Sequence, residues 1–292
     1  MEKQNISIEH SVAALVKLLQ LQDLGNDRFL GQSVNIGSPA VFGGQVLGQA
    51  LAAADRTVDP ARTIHSMHAY FLLPGDFVPI EYEVERERDG RSFTTRYVRA
   101  RQNGNTIFEL SASFQTRDTG LEHQAPMPQV PPPEALQTDI EHRKLVIDRL
   151  PARWRLKALQ PNGIEVRPVD PLDPMTPAVR PAQMQVWIRV PAPLPDDPLI
   201  HRELLAFVSD YGLIGVALRP HGLTIFSEQV RLASLDHAMW FHRDFRLDDW
   251  LLYTMDSPNA NGARVLCRGS FYTRDGKLVA STAQEGMVRM RQ

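Results

Sequence analysis

The spacing of apolar and polar positions changes period several times along the chain, and each change marks an element. Val12, Leu15, Val16 and Leu19 recur at helical intervals, so the stretch from Ile8 to Leu21 reads as an amphipathic helix. Arg28 to Ile36 reads as a short strand. Gly43 and Gly44 then open a small-residued helix carrying Val46, Leu47, Ala50, Leu51 and Ala54, slim enough to pack very close to a neighbour. Its glycine start leaves backbone N–H groups for an anion or a polarised carbonyl, or simply makes a tight packing turn. Four strands follow: Thr63 to Leu72, Ile80 to Arg88, Ser92 to Arg101 and Thr106 to Thr116. The second alternates strictly, with Ile80, Tyr82 and Val84 on one face and acids on the other. Asp89-Gly90 and Asn103-Gly104 mark turns, the latter a strong hairpin signal.

Residues 119–162 change character. Pro126, Pro128, Pro131, Pro132 and Pro133 predict an extended linker, with a helix over Glu134 to Leu150. A short strand from Ile164 to Arg167, a second proline-rich patch and a strand over residues 185–190 lead into the second half. There the first pattern returns. Leu204 to Leu218 is apolar on nearly every side, which predicts a helix buried all round. Strands follow over Val230 to Phe241, Trp250 to Met255, Ala263 to Thr273 and Leu278 to Arg289. Asp275-Gly276 matches the turn at Asn103-Gly104, and His68-Ala69 resembles His237-Ala238. The chain is therefore an internal duplication of a helix-plus-antiparallel-sheet unit. In each unit the helix is expected to lie across one face of its sheet. The divisions expected are residues 1–118, a linker over 119–162, and 163–292.

Bulk properties narrow the function. The chain has 292 residues and a formal net charge of −2, which gives no basic excess and excludes nucleic acid as the expected partner. The single cysteine, Cys267, excludes an internal disulfide and a thiolate zinc site, and no metal is expected. No signal peptide and no apolar run of membrane-spanning length is read, so a cytoplasmic protein is expected.

One charge sits awkwardly. Asp210 lies in the middle of the apolar run at 204–218, where a carboxylate is costly unless it is paired or neutral. That placement suits either a structural hydrogen bonder or a general base of tuned pKa. His65 and His68 are rival bases. Their spacing along one strand sends them to opposite faces, and no GxSxG elbow accompanies either one. Arg88, Arg91 and Arg96 surround the Asp89-Gly90 turn, placed to hold phosphate or to pair with the acids of the neighbouring strand.

Eight segments together resemble the acyl-CoA thioesterase II family over essentially the whole chain. They are VFGGQVLGQAL (41–51), HSMHAYFLLPGD (65–76), RDGRSFTTRYV (88–98), QVWIRV (185–190), FVSDYGLIGVALRPHG (207–222), ASLDHAMWFHRDF (233–245), DDWLLY (248–253) and STAQEG (281–286). The resemblance implies a double hotdog of the α+β class, two tandem units each with an antiparallel sheet wrapped round a central helix. It implies hydrolysis of fatty acyl-CoA to a free acid and coenzyme A, with no cofactor beyond the coenzyme A of the substrate. It also implies a catalytic trio of Asp210, Ser234 and Gln284, serine standing where many relatives carry threonine. Substrate contacts are then expected at Gly43, Gly44, His65, Arg88, Arg91 and Arg96, and assembly as a homodimer or homotetramer. The helix of the first unit carries Gln45 and Gln49 but no acid corresponding to Asp210, so one competent site per chain is expected. Two other readings share the fold: a hydratase or dehydratase, poorly matched because His221 lies far from Asp210, and a non-catalytic acyl-CoA binding module.

Overall fold

The computed structural model describes residues 7–150, 154–155, 158–160 and 163–291; part of the expected linker and its boundary at residue 162 lie outside them. Four α-helices matter here: α1 (Ile8–Leu19), α2 (Gly43–Asp55), α3 (Asp139–Val146) and α4 (Pro198–Ser209). The strands of the first half are β1 (Gln22–Gly25), β2 (Arg28–Gly31), β3 (Arg62–Phe71), β4 (Ile80–Asp89), β5 (Phe93–Gln102) and β6 (Asn105–Thr116). Those of the second half are β7 (Glu165–Pro168), β8 (Gln183–Arg189), β9 (Val230–Ser234), β10 (Asp236–Phe241), β11 (Leu251–Asn261), β12 (Arg264–Thr273) and β13 (Leu278–Met290).

All the paired strands join one antiparallel sheet in the order β1-β2-β4-β5-β6-β3-β10-β13-β12-β11-β8-β7, with β9 also on β13. The two halves meet where β3 pairs with β10, Met67 opposite Met239. The meander of the first half follows from its turns. Asn103 and Gly104 both take positive φ, 49° and 79°, which the two-residue hairpin between β5 and β6 requires. The alternation read in Ile80, Tyr82 and Val84 is borne out, all three being buried. This is the double hotdog, with one difference from the simplest expectation. The central helices pack against each other, and α2 also packs on β3, β4, β5 and β6. The two helices run antiparallel and very close: a Cβ on Gly44 would lie 2.1 Å from the carbonyl oxygen of Phe207, and one on Gly48 would lie 3.0 Å from that of Glu203.

The apolar run at 204–218 is not one helix. α4 ends at Ser209, Asp210 is its C-cap, and Gly212 turns the chain at φ 72° before a 3-10 helix covers Ile214–His221. That 3-10 helix packs on β8, β11, β12 and β13, while α4 packs on α2 and α1. An apolar run carries no phase information, so only Gly212 marks the break. The expected helix over Glu134 to Leu150 is likewise shorter. α3 spans Asp139–Val146 and begins at a capping box in which Thr138 and Glu141 bond each other's backbone.

Two readings of register change. A bulge between Ile64 and Ser66 on β3 breaks the alternation, so His65 and His68 do not take opposite faces. His65 bonds Ser113 on the outer face and His68 packs its ring against Trp240 there. The dipeptides His68-Ala69 and His237-Ala238 are not equivalent either. His237 pairs with Ala69 and faces inward, whereas His68 pairs with Ala238 and faces outward.

Candidate active site

Asp210 stands where the end of α4 lies beside the start of the antiparallel α2. It caps the C-terminus of α4 and faces the N-terminus of α2, where its Oδ2 accepts the backbone N–H of Gly44 at 3.1 Å. The start of α2 favours a negative charge and the end of α4 disfavours it, so the position suits a carboxyl balanced between two charge states. Burial pushes this carboxyl up from 3.8 to about 6, against the opposing hydrogen bonds from Gln284 and Gly44.

The sheet supplies the partners. Gln284 lies in β13 with its side chain fully buried, and Ser234 ends β9 beside Gly286 of the same strand. The amide nitrogen of Gln284 donates to Asp210 Oδ1 at 3.0 Å and to Ser234 Oγ at 2.8 Å. The chain breaks at Leu235 between β9 and β10, and the N–H of Leu235 bonds Glu285 O. That break sets Ser234 one step out of line with β10, over the site. Gln284 is therefore brought within direct hydrogen-bonding reach of both Asp210 and Ser234, read at positions far apart in sequence. Both amide hydrogens of Gln284 are spent on the other two, so it bridges them, and Ser234 keeps its own hydroxyl proton free to donate.

Gly43 and Gly44 belong to this place. A Cβ on Gly43 would meet Asp210 Oδ2 at 2.8 Å, so only glycine lets the helix start come so near the carboxylate. The other expected substrate contacts are not brought here. α2 has 13 residues, so its two ends lie about 20 Å apart, and the Asp89-Gly90 turn belongs to the far end. Arg96 is 1% exposed and donates to Thr57 Oγ1, Thr57 O and Asp89 just past the C-terminus of α2. It secures that helix end and is not at a site mouth. The sequence held the clue, since Arg96 shares its face of β5 with the buried Thr94, Val98 and Ala100. Arg88 and Arg91 are exposed beside it. His65 lines a separate cavity of about 270 Å³ with Arg117, Arg202 and His242. Arg96→Met is expected to lower the unfolding free energy by about 1.5–3 kcal/mol, through loss of charged hydrogen bonds. Arg88→Ala with Arg91→Ala should leave both stability and KM near wild type; thermal melts and steady-state assays of the two variants test the distinction.

The first unit does end its helix on an acid. Asp55 closes α2 much as Asp210 closes α4, and burial pushes it up to about 7. Its Oδ2 is buried with no hydrogen-bond partner among the described residues. The rest of the trio has no counterpart there. Gln284 lies eight positions beyond the turn glycine Gly276, and eight beyond Gly104 stands Ala112.

Two further residues join the network: His237, readable from sequence as a core hydrogen bonder, and Tyr253, which sequence reasoning passed over. His237 is 1% exposed, with Nδ1 2.9 Å from Gln284 Oε1 and Nε2 2.9 Å from Ser209 Oγ. Tyr253 donates to Ser209 O at 2.7 Å and holds the end of α4 to β11. The signal for His237 was its place two residues after Leu235 on an inward-facing position of β10.

Comparison with known proteins places the chain among acyl-CoA thioesterases. A family model for acyl-CoA thioesterase matches residues 167–287, and one for the N-terminal domain of acyl-CoA thioesterases matches residues 32–115. The chain is 40% identical to acyl-CoA thioesterase 2 of Haemophilus influenzae over 94% of its own length and 96% of that protein. It is 40% identical to human acyl-coenzyme A thioesterase 8 over 94% of its length and 88% of that protein. Among solved structures it superposes on an acyl-CoA thioesterase II from Mycobacterium marinum with TM-score 0.77 and 41% identity, covering 96% of this chain and 98% of that one. Helix ends that hold an acid against a sheet-borne glutamine and serine, the paired hotdog units and full-length likeness to named thioesterases thus converge: the chain belongs to the acyl-CoA thioesterase II family.

Proposed function

We propose that the chain hydrolyses fatty acyl-CoA thioesters, medium to long and broad in range, by direct attack of an activated water. The observation that carries this is the bridge from Asp210 through Gln284 to Ser234. A thioester is already an activated acyl group, so no covalent enzyme intermediate and no cofactor is needed. Asp210 takes the proton of a water held between its carboxylate and the Ser234 hydroxyl. Gln284 fixes the distance between those two groups and so aims the water. The Gly44 N–H is occupied by Asp210, which leaves the neighbouring Gly43 N–H at the helix start as a donor to the oxyanion.

A base raised to about 6 has a kinetic signature. Asp210 must be ionised to act, so kcat/KM should fall about tenfold per pH unit below an acid limb near 6. A pH–rate profile with a palmitoyl-CoA or octanoyl-CoA substrate tests this. A limb near the ordinary carboxylate value would count against the assignment. The linkage has the opposite sense. A raised carboxyl contributes stability that is complete below 3.8 and is lost as pH rises through about 6. The ionised form needed for catalysis is thus the less stable one.

The outer face at the β3–β10 junction carries Tyr70, 61% exposed, and Trp240, 36% exposed. This supports assembly of the chain into a homodimer or homotetramer through such surfaces. Light scattering should give a multiple of the 32.9 kDa chain mass, and a monodisperse monomer would oppose the proposal. No helix among the described residues is long and apolar enough to cross a membrane, which is in keeping with a cytoplasmic enzyme.

A further inference from the structure

We infer that His237 is a positioning residue whose Nδ1–H fixes the side-chain amide of Gln284, so that the NH2 end faces Asp210 and Ser234. The inference rests on the catalytic reading of that trio. Gln284 has two amide orientations of nearly equal shape and opposite hydrogen-bonding sense. In the one observed, its nitrogen serves Asp210 and Ser234 and its oxygen faces His237 Nδ1 at 2.9 Å. In the other, an amide oxygen would confront the Asp210 carboxylate, two acceptors with no proton between them. Nothing within Gln284 itself selects between the two.

The Asp210 carboxylate disfavours the flip at one end of the amide, and His237 fixes the orientation at the other. The ring is enclosed on all sides, and that burial keeps it neutral by holding its pKa down near 4. A neutral imidazole offers one N–H and one bare nitrogen. With Nδ1 protonated, its hydrogen meets Gln284 Oε1, and the one Ser209 hydroxyl proton is shared between bare Nε2 at 2.9 Å and Ala206 O at 2.8 Å. With Nε2 protonated, Ser209 Oγ accepts, its own hydroxyl turns to Ala206 O at 2.8 Å, and bare Nδ1 repels the amide oxygen. The second tautomer therefore drives Gln284 to flip and removes the donor from Asp210. Ser209 is the residue before Asp210 and is itself tied by its carbonyl to Tyr253. A single chain of bonds thus returns to the catalytic helix end: Ser209 to His237, His237 to Gln284, Gln284 to Asp210. A buried polar chain of this kind holds its members in one arrangement only when every donor meets an acceptor.

Three variants and one spectrum test the assignment. Asparagine places an amide nitrogen near the position of Nδ1, and glutamine reaches toward that of Nε2. His237→Asn should keep kcat within about threefold of wild type, whereas His237→Gln and His237→Leu should lose about 10–100-fold in kcat with KM little changed, the scale of a mispositioned group. Equal losses in all three, or full activity in His237→Leu, would overturn the inference. The wild-type protein gives a readout that needs no variant to fold. Nitrogen-15 NMR of labelled histidine should show His237 protonated at Nδ1 and bare at Nε2 from pH 5 to 9. A proton on Nε2 would overturn it. Failure of the underlying reading looks different: Asp210→Asn at wild-type rate removes the trio itself whatever the tautomer of His237.

Discussion

Asp210→Asn is expected to lower kcat for acyl-CoA hydrolysis by about 10²–10⁴-fold, the usual worth of a positioned general base, with little change in melting temperature. Asparagine has the shape of aspartate but cannot take a proton from water at neutral pH. Its single amide oxygen can satisfy either the Gly44 N–H or the Gln284 amide, not both. One hydrogen bond is therefore lost, worth about 0.5–1.5 kcal/mol. Against that, the substitution removes a carboxylate that burial disfavours in its charged form. The two effects oppose, so the variant should fold and bind substrate while hydrolysing it slowly. Wild-type hydrolysis in this variant would exclude Asp210 as the base.

Gly44→Ala is expected to be the most damaging single methyl group in the chain. The added Cβ would lie 2.1 Å from Phe207 O and 2.4 Å from Phe42 Cε1. The first of these is helix backbone and cannot swing aside as a side chain could. α2 and α4 must move apart, which loosens the contact between the central helices and draws Asp210 from its N–H donor. Overpacking of this kind costs about 1–3 kcal/mol and more where backbone must shift. That should lower the melting temperature by about 2–4 °C for each kcal/mol lost. Activity should fall further than stability explains, because a displacement of about 1 Å at the reacting groups costs on the order of 10²-fold. Gly215→Ala is the control. Its Cβ would meet nothing closer than Ile225 Cγ2 at 3.7 Å, so it should fold and turn over normally. Calorimetry and steady-state kinetics on the pair separate a packing effect from a general intolerance of change.

The fold was legible wherever the sequence alternates or turns. β4 shows its buried face in Ile80, Tyr82 and Val84, and the hairpin after β5 is announced by Asn103-Gly104. β1 was not legible, because Gln22–Gly25 is exposed at every position and has no apolar face to betray it. The end of α4 was hidden for the opposite reason: a run buried on every side gives no period, and the apolar character continues past the break at Gly212. The bulge at His65 is invisible to any counting of parity, since it adds one residue without changing composition.

The site was half legible. Asp210 stood out on its own, as a charge where none should be. Ser234 and Gln284 did not, since a serine and a glutamine on strands are ordinary, and only the family resemblance singled them out. Their proximity depends on the break at Leu235 and on the pairing of β13 with both β9 and β10, neither of which is local. The basic residues near the Asp89-Gly90 turn misled for a related reason. Arg96 has the charge that coenzyme A phosphates call for, but its face of β5 turns it inward to Thr57.

The most direct test of the account is a rapid-quench measurement of a single turnover, following coenzyme A and free fatty acid together and weighing the intact protein at each time. Direct attack by water held at Asp210 predicts that both products form at one rate and that the protein never gains mass. A burst of coenzyme A ahead of the acid, with a matching gain of one acyl group on the chain, would contradict it.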